Sequence, residues 1–136
     1  GVNTGGVDLS TDDWPAYEKK DKNIKIKHHN DWHYIQDEQS EKELGYDLFV
    51  GFADSQETLD KGKPYPIELI IASADKEIHK VEYSETVISL NNLNYILTVN
   101  SQEKYGEIFN KMAKTLQVII GDQGSEDSLR EIDTAN

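Results

Sequence analysis

His28, His29, Asn30, Asp31 and His33 form the conspicuous chemical cluster of this chain. Neutral imidazole is a good ligand for Zn, Cu or Ni, and its charge changes near neutral pH. In an extended strand, side chains alternate between faces. His29, Asp31 and His33 would then share one face and His28 would take the other. That His-x-Asp-x-His spacing predicts two imidazoles and one carboxylate around one divalent metal. The plainer reading, which we favour on sequence alone, is a set of polar side chains on the solvent face of an edge hairpin.

Other residue types carry weaker signals. Asp37, Glu38, Glu41, Glu43 and Asp47 cluster, as do Asp54, Glu57 and Asp60. Hard cations such as Ca²⁺ take oxygen ligands of this kind. The EF-hand order of acids is absent, so these read as solvated acidic loops. Lys19, Lys20, Lys22, Lys25 and Lys27 make the one basic stretch. It is suited to docking an acidic partner or lipid headgroups. The plainer reading, which we favour on sequence alone, is lysines on the exposed face of an edge strand, where they block edge pairing. No nucleophile elbow, P-loop, dinucleotide-binding glycine pattern or H-E-x-x-H is present. The serines have no context that marks a nucleophile. Trp14, Trp32, Tyr34, Tyr46, Tyr65, Phe49 and Phe52 would line a ligand groove or, more simply, fill the core.

The chain as a whole sets limits on these readings. It has 136 residues, and 14 Lys and Arg against 26 Asp and Glu give a net charge of −12. That balance argues against a general binder of nucleic acid or anionic membrane. Hydrophobic residues make up 36%, below the roughly 45–50% of an average globular chain. One domain can build a core from that, with little to spare. No apolar run approaches the roughly 20 residues of a membrane-spanning helix. No positively charged start leads into an apolar segment, so an uncleaved signal peptide is not expected. The absence of cysteine excludes disulfides, thiolate catalysis, Cys-ligated zinc and iron–sulfur centres.

The elements that must position the candidate residues follow from periodicity. Residues 1–13 are read as a flexible leader, 14–120 as the folded domain and 121–136 as an acidic tail with a weak helix over Ser125–Ile132. Asn23 to Ile35 is a strand region, with a turn or bulge at Asn30-Asp31. Residues 37–43 read as a polar loop, and Asp47 to Phe52 as a short strand with Gly51 a bulge or close-approach point. One helical turn is expected from Ser55 to Leu59. Ile67 to Ala72 is the most strand-like run, and Asp75-Lys76 a turn. Glu77 to Tyr83 alternates imperfectly. Thr86 to Leu90 and Leu93 to Val99 pair as a hairpin across Asn91-Asn92, residues that accept positive φ. Tyr105, Ile108, Phe109, Met112, Leu116 and Ile119 keep helical spacing, with Ser101 to start that helix and Gly121 to stop it. Strands joined by short turns and followed by one amphipathic helix predict an α+β fold. Its core is a central antiparallel β-sheet with the C-terminal helix packed on one face.

Residues 14–35, WPAYEKKDKNIKIKHHNDWHYI, resemble the opening of the PsbP-like family, whose first hairpin reads roughly "sI.yP.dW.v" after an aromatic and polar start. Ile24, Ile26, Asn30, Asp31 and Trp32 sit in the matching places, with His28-His29 where the family often has Tyr-Pro. DLFVGFAD at 47–54 is similar to the family's next strand. Residues 90–119 are similar to its ending: a hairpin, a strand, a short acidic link and a helix with an early Phe. Together these stretches cover about residues 14–120, in order. Ile71 to Val87 is too short for the helix and excursion the family places between its middle strands, so this would be a trimmed version. The resemblance implies an αβα sandwich. Relatives include photosystem II extrinsic subunits and bacterial lipoproteins. Most are non-enzymatic and extracytoplasmic, and a leader such as 1–13 would suit a tether left after a removed signal or lipid-modified cysteine.

The sequence therefore leads to three expectations. The first is a non-enzymatic, extracytoplasmic binding or assembly module for a protein partner on a cell or membrane surface, with no cofactor. The second is a divalent-metal domain built on His29, Asp31 and His33. The third is a small hydrolase whose residues only the fold brings together.

Overall fold

Ile67–Ser73 (β5) forms the middle of a five-stranded antiparallel sheet. The computed structural model describes residues 10–119. Leu48–Ala53 (β4) flanks β5 on one side and Leu93–Val99 (β7) on the other. The edges are His33–Gln36 (β3), next to β4, and Tyr83–Leu90 (β6), next to β7. β4 is buried throughout and β5 as far as Ala72. Both faces of the sheet are covered at its centre, which is why these strands read as continuous apolar runs. A second sheet joins Ala16–Lys19 (β1), Ile24–Lys27 (β2) and Gln117–Val118 (β8), with β2 in the middle.

Three helices complete the fold: Glu38–Leu44 (α1), Gln56–Asp60 (α2) and Gln102–Thr115 (α3). One face of the five-stranded sheet presents Leu48, Val50, Phe52, Leu69, Ile71 and Leu97. These pack against Phe109 and Met112 of α3 and Ile24 and Ile26 of β2. The opposite face presents Phe49, Ile70 and Ile96 beneath Leu44 of α1, Leu59 of α2, Tyr46, Tyr65 and Ile78. The fold is thus α+β, with antiparallel sheets and the C-terminal helix packed as its amphipathic pattern predicts.

Local chemistry explains several elements. Asn91 and Asn92 adopt φ of 55° and 67°, the left-handed pair that a tight hairpin needs. A Cβ on Gly51 would stand 2.3 Å from the Tyr65 ring, so this glycine marks a close approach. Ser55 and Ser101 cap α2 and α3 by accepting from the N–H groups of Thr58 and Lys104.

Other expectations need correction. Residues 37–43 are not a loop: they lie in α1 and its cap. Asp37 accepts from the Ser40 N–H and Gly45, at φ 75°, closes the other end, so capping replaces the missing apolar stripe. The strand region 23–35 divides between two sheets. Its corner is held by His28 N–H donating to Pro15 O and Trp32 N–H to His29 O. Glu77–Glu82 is irregular, and β6 starts at Tyr83 rather than Thr86. α3 ends at Thr115, because Leu116 turns extended and Val118 pairs with Ile24. Sheet pairing there overrides the helical spacing of Leu116 and Ile119. Within the predicted leader, Thr11 accepts from Trp14 N–H and from Lys27 Nζ. Gly121, the acidic tail and the terminal helix over Ser125–Ile132 lie outside the described residues.

Candidate functional site

The histidine cluster is not laid out along one strand. His29 lies just before the Asn30-Asp31 turn, and only His33 begins β3. His29 Nδ1 accepts the Asp31 backbone N–H at 3.0 Å, which leaves the ring proton on Nε2. Its ring lies 5.5 Å from that of Trp14. His28 is buried and packs against Tyr34 and Phe52, its Nδ1 donating to His29 O at 3.0 Å. Burial pulls the His28 pKa below its ordinary 6.5, and the carbonyl bond only partly offsets this. Among the described residues, no three His, Cys, Asp or Glu side chains are grouped to hold a metal ion. The extended-strand geometry that would put His29, Asp31 and His33 on one face is absent. Most of the aromatic residues considered for a groove fill the core, while Tyr34 is 48% exposed on β3.

The structure instead draws two other polar groups together. The first centres on Glu68, fully buried on β5. Its Oε1 accepts from His79 Nε2 at 2.6 Å and from Thr98 Oγ1 at 3.0 Å. Its Oε2 accepts from Tyr65 N–H at 2.9 Å. His79 comes from the irregular segment after β5, and its own N–H donates to Tyr46 Oη at 2.8 Å. Next to it, Tyr65 Oη donates to Asp37 Oδ2 at 2.7 Å, and Ser40 donates to Asp37 through both N–H and Oγ. Burial works to raise the Asp37 carboxyl, but the bonds from Tyr65 and Ser40 and the nearby Lys63 ammonium outweigh it, so its pKa is lowered. Burial, then the hydrogen bond to Asp37, pushes the Tyr65 hydroxyl up. A desolvated carboxylate is tolerable only when it is fully bonded, and Glu68 is bonded at both oxygens by the chain's own groups. The cluster fixes the segment carrying His79 and the start of α1 to the outer face of the sheet.

The second group is open. Lys25 and Lys27 of β2 point away from the core that receives Ile24 and Ile26. Lys111 and Lys114 stand one turn apart on α3. Lys25, Lys27 and Lys114 line a hollow of about 240 Å³ with Thr115 and Gln117. An adjoining hollow of about 280 Å³, lined also by Lys114 and Thr115, brings in Lys111, Ser10, Thr11 and one carboxylate, Asp12. Thr115 Oγ1 joins the two elements, accepting from Lys27 N–H at 3.0 Å and donating to Met112 O at 2.8 Å. The sequence shows Lys25 and Lys27 but gives no sign that Lys111 and Lys114 stand beside them. It also places these lysines on an edge strand, whereas β2 is the middle strand of its sheet. At Lys25 the β8 flank of β2 is already paired with Gln117, so Lys25 is not there to block edge pairing.

No family model, curated protein or solved structure matches the chain. No helix among the described residues is long and apolar enough to cross a membrane.

Proposed function

We propose that this chain is a non-enzymatic binding module that receives an acidic segment of a protein partner on the Lys25, Lys27, Lys111 and Lys114 face. One observation carries this reading: four lysines from β2 and α3, against the single carboxylate of Asp12, line adjoining hollows on a chain of net charge −12. Like charges gathered at one place repel, and a bound anion relieves that repulsion. Each exposed ion pair contributes at most about 1 kcal/mol. The face therefore supplies orientation and association rate more than affinity, and its action weakens with salt. The extracytoplasmic setting and the surface-anchored partner implied by the PsbP-like resemblance belong to this proposal and rest on that resemblance alone. The Glu68 cluster supports no competing enzymatic reading, because its polar groups satisfy one another.

The test is titration of the ¹⁵N-labelled chain with an oligo-glutamate peptide at low salt. The amides of Lys25, Lys27, Lys114 and Gln117 should shift, and a Lys25→Glu, Lys114→Glu variant should not respond. Shifts spread evenly over the surface, or an unchanged response in the variant, would overturn the reading. Lys27 is left intact because its Nζ also holds Thr11 O at 3.1 Å.

A further inference from the structure

We infer that the acidic segment 121–136 of this same chain is the resting occupant of the lysine face, and that a partner must displace it. The inference rests on the binding reading above and adds its regulation.

After α3 the backbone does not leave the molecule: Gln117 and Val118 pair with Lys25 and Ile24. Ile119 N–H then donates to Asn23 O at 2.8 Å. The described chain thus ends at the Asn23 end of β2, next to the turn that carries Lys20 and Lys22, having passed Lys25 at Gln117. Asn23 to Lys27 spans roughly 13 Å of strand. Residues 120–136 reach roughly 50 Å when extended, so every lysine of the face is within range. Gly121 and Gly124 accept the backbone angles that a reversal of direction requires.

Charge gives the direction of the interaction. Segment 121–136 carries Asp122, Glu126, Asp127, Glu131 and Asp133 against Arg130 alone. The rest of the molecule also carries an excess of acid, so the lysine face is where such a segment meets least repulsion and most attraction. Individual contacts are weak, but tethering replaces a bimolecular encounter with an effective concentration in the millimolar range. An intrinsic dissociation constant several-fold below that effective concentration then keeps the face largely occupied. An external acidic segment binds only in competition, which weakens its apparent affinity on the order of 3–10-fold.

The experiment compares two 136-residue chains, the parent and one carrying Asp122→Asn, Glu126→Gln, Asp127→Asn, Glu131→Gln and Asp133→Asn. The first readout is amide shifts of the dilute ¹⁵N-labelled chains with no peptide added. Differences at Lys25, Lys27, Lys111, Lys114 and Gln117 that vanish in high salt are expected. The second readout is oligo-glutamate affinity, expected to be several-fold tighter for the neutralised chain. If both chains bind the peptide equally through Lys25 and Lys114 and show the same amide shifts, the inference fails while the binding reading stands. If neither chain binds the peptide, the binding reading fails and takes the inference with it. Shift differences that grow with protein concentration would put the segment on a second copy, and that also overturns the intrachain assignment.

Discussion

The Glu68 cluster and the lysine face are both polar, yet they answer opposite physical demands. Glu68 has no exposure and both of its oxygens are bonded by His79, Thr98 and Tyr65. The ammonium groups of Lys25, Lys27, Lys111 and Lys114 border open hollows, and of these Lys27 is tied back to the chain by its bond to Thr11 O. A charge taken out of water must find its partners within the fold, or folding fails. A charge left in water can wait for a partner. Completeness of internal bonding therefore separates a polar group that maintains the fold from one that is available for recognition.

The largest expected effect tests the buried side. Glu68→Ala leaves the His79 ring, the Thr98 hydroxyl and the Tyr65 N–H without their acceptor. Breaking one partner of a buried polar set costs about 3–5 kcal/mol. At roughly 2–8 °C per kcal/mol, thermal unfolding should show a drop of about 6 °C or more. Replacing the set together, as Glu68→Leu, His79→Leu and Thr98→Val, should recover part of that loss, because the Tyr65 N–H is then the one donor of the set left without its acceptor. A loss under about 1 kcal/mol for Glu68→Ala, or a folded Glu68→Ala chain that no longer binds acidic peptide, would break the distinction.

Next in size is Gly51→Ala. The new methyl would meet the Tyr65 ring at 2.3 Å, inside any normal contact distance. Overpacking of this kind costs about 1–3 kcal/mol. The ring can yield only by disturbing its hydroxyl bond to Asp37, so the damage should reach α1. Faster amide exchange at Ser40 and Glu41 would report it, while unchanged exchange there would confine the clash to the ring.

How much of this was legible depended on whether the signal was local. β5 was readable because burial on both faces leaves an apolar run, and Asn91-Asn92 because two left-handed residues are a local demand. α1 was not, since EQSEKEL has no apolar stripe. Its signals were the cap at Asp37 and the glycine at Gly45. His79 carries no local signal of its own; the one sign of its role is Glu68 inside the apolar run IELIIA, a buried acid that some donor has to reach. The lysine face was half visible: Lys27 and Thr115 meet across 88 positions, a juxtaposition that no local pattern carries.

His28 offers a smaller effect with a defined sign. Burial holds its pKa below the ordinary 6.5, so the unfolded chain takes up the proton more readily than the folded one. The stability it contributes is complete above 6.5 and is lost as pH falls through the lowered folded value. Asp37, lowered from 3.8, contributes in a separate window further into acid. Urea unfolding between about pH 7 and pH 5 should therefore weaken with acid in the parent and do so less in His28→Phe, which keeps a ring against Tyr34 and Phe52. Equal slopes would mean that His28 takes up its proton with equal ease in both states.

The smallest effect on stability is expected on the lysine side, and its smallness is the point. Lys25 is half-buried beside its hollow and Lys25→Glu removes none of the core side chains, so the change in stability should stay within about 0.5 kcal/mol. It also reduces the repulsion with Lys27 and Lys114 across their shared hollow, so a slight gain in stability is the expected sign. Binding should move the other way, with acidic peptide held more weakly and the salt dependence flattened, because one of the charges that attract it has been reversed. A residue whose loss leaves or raises stability while lowering binding is held in place by recognition and not by folding. If Lys25→Glu instead destabilised the chain as much as Gly51→Ala, the lysine would be part of the structural framework, and the two polar groups would not differ in the way their bonding indicates.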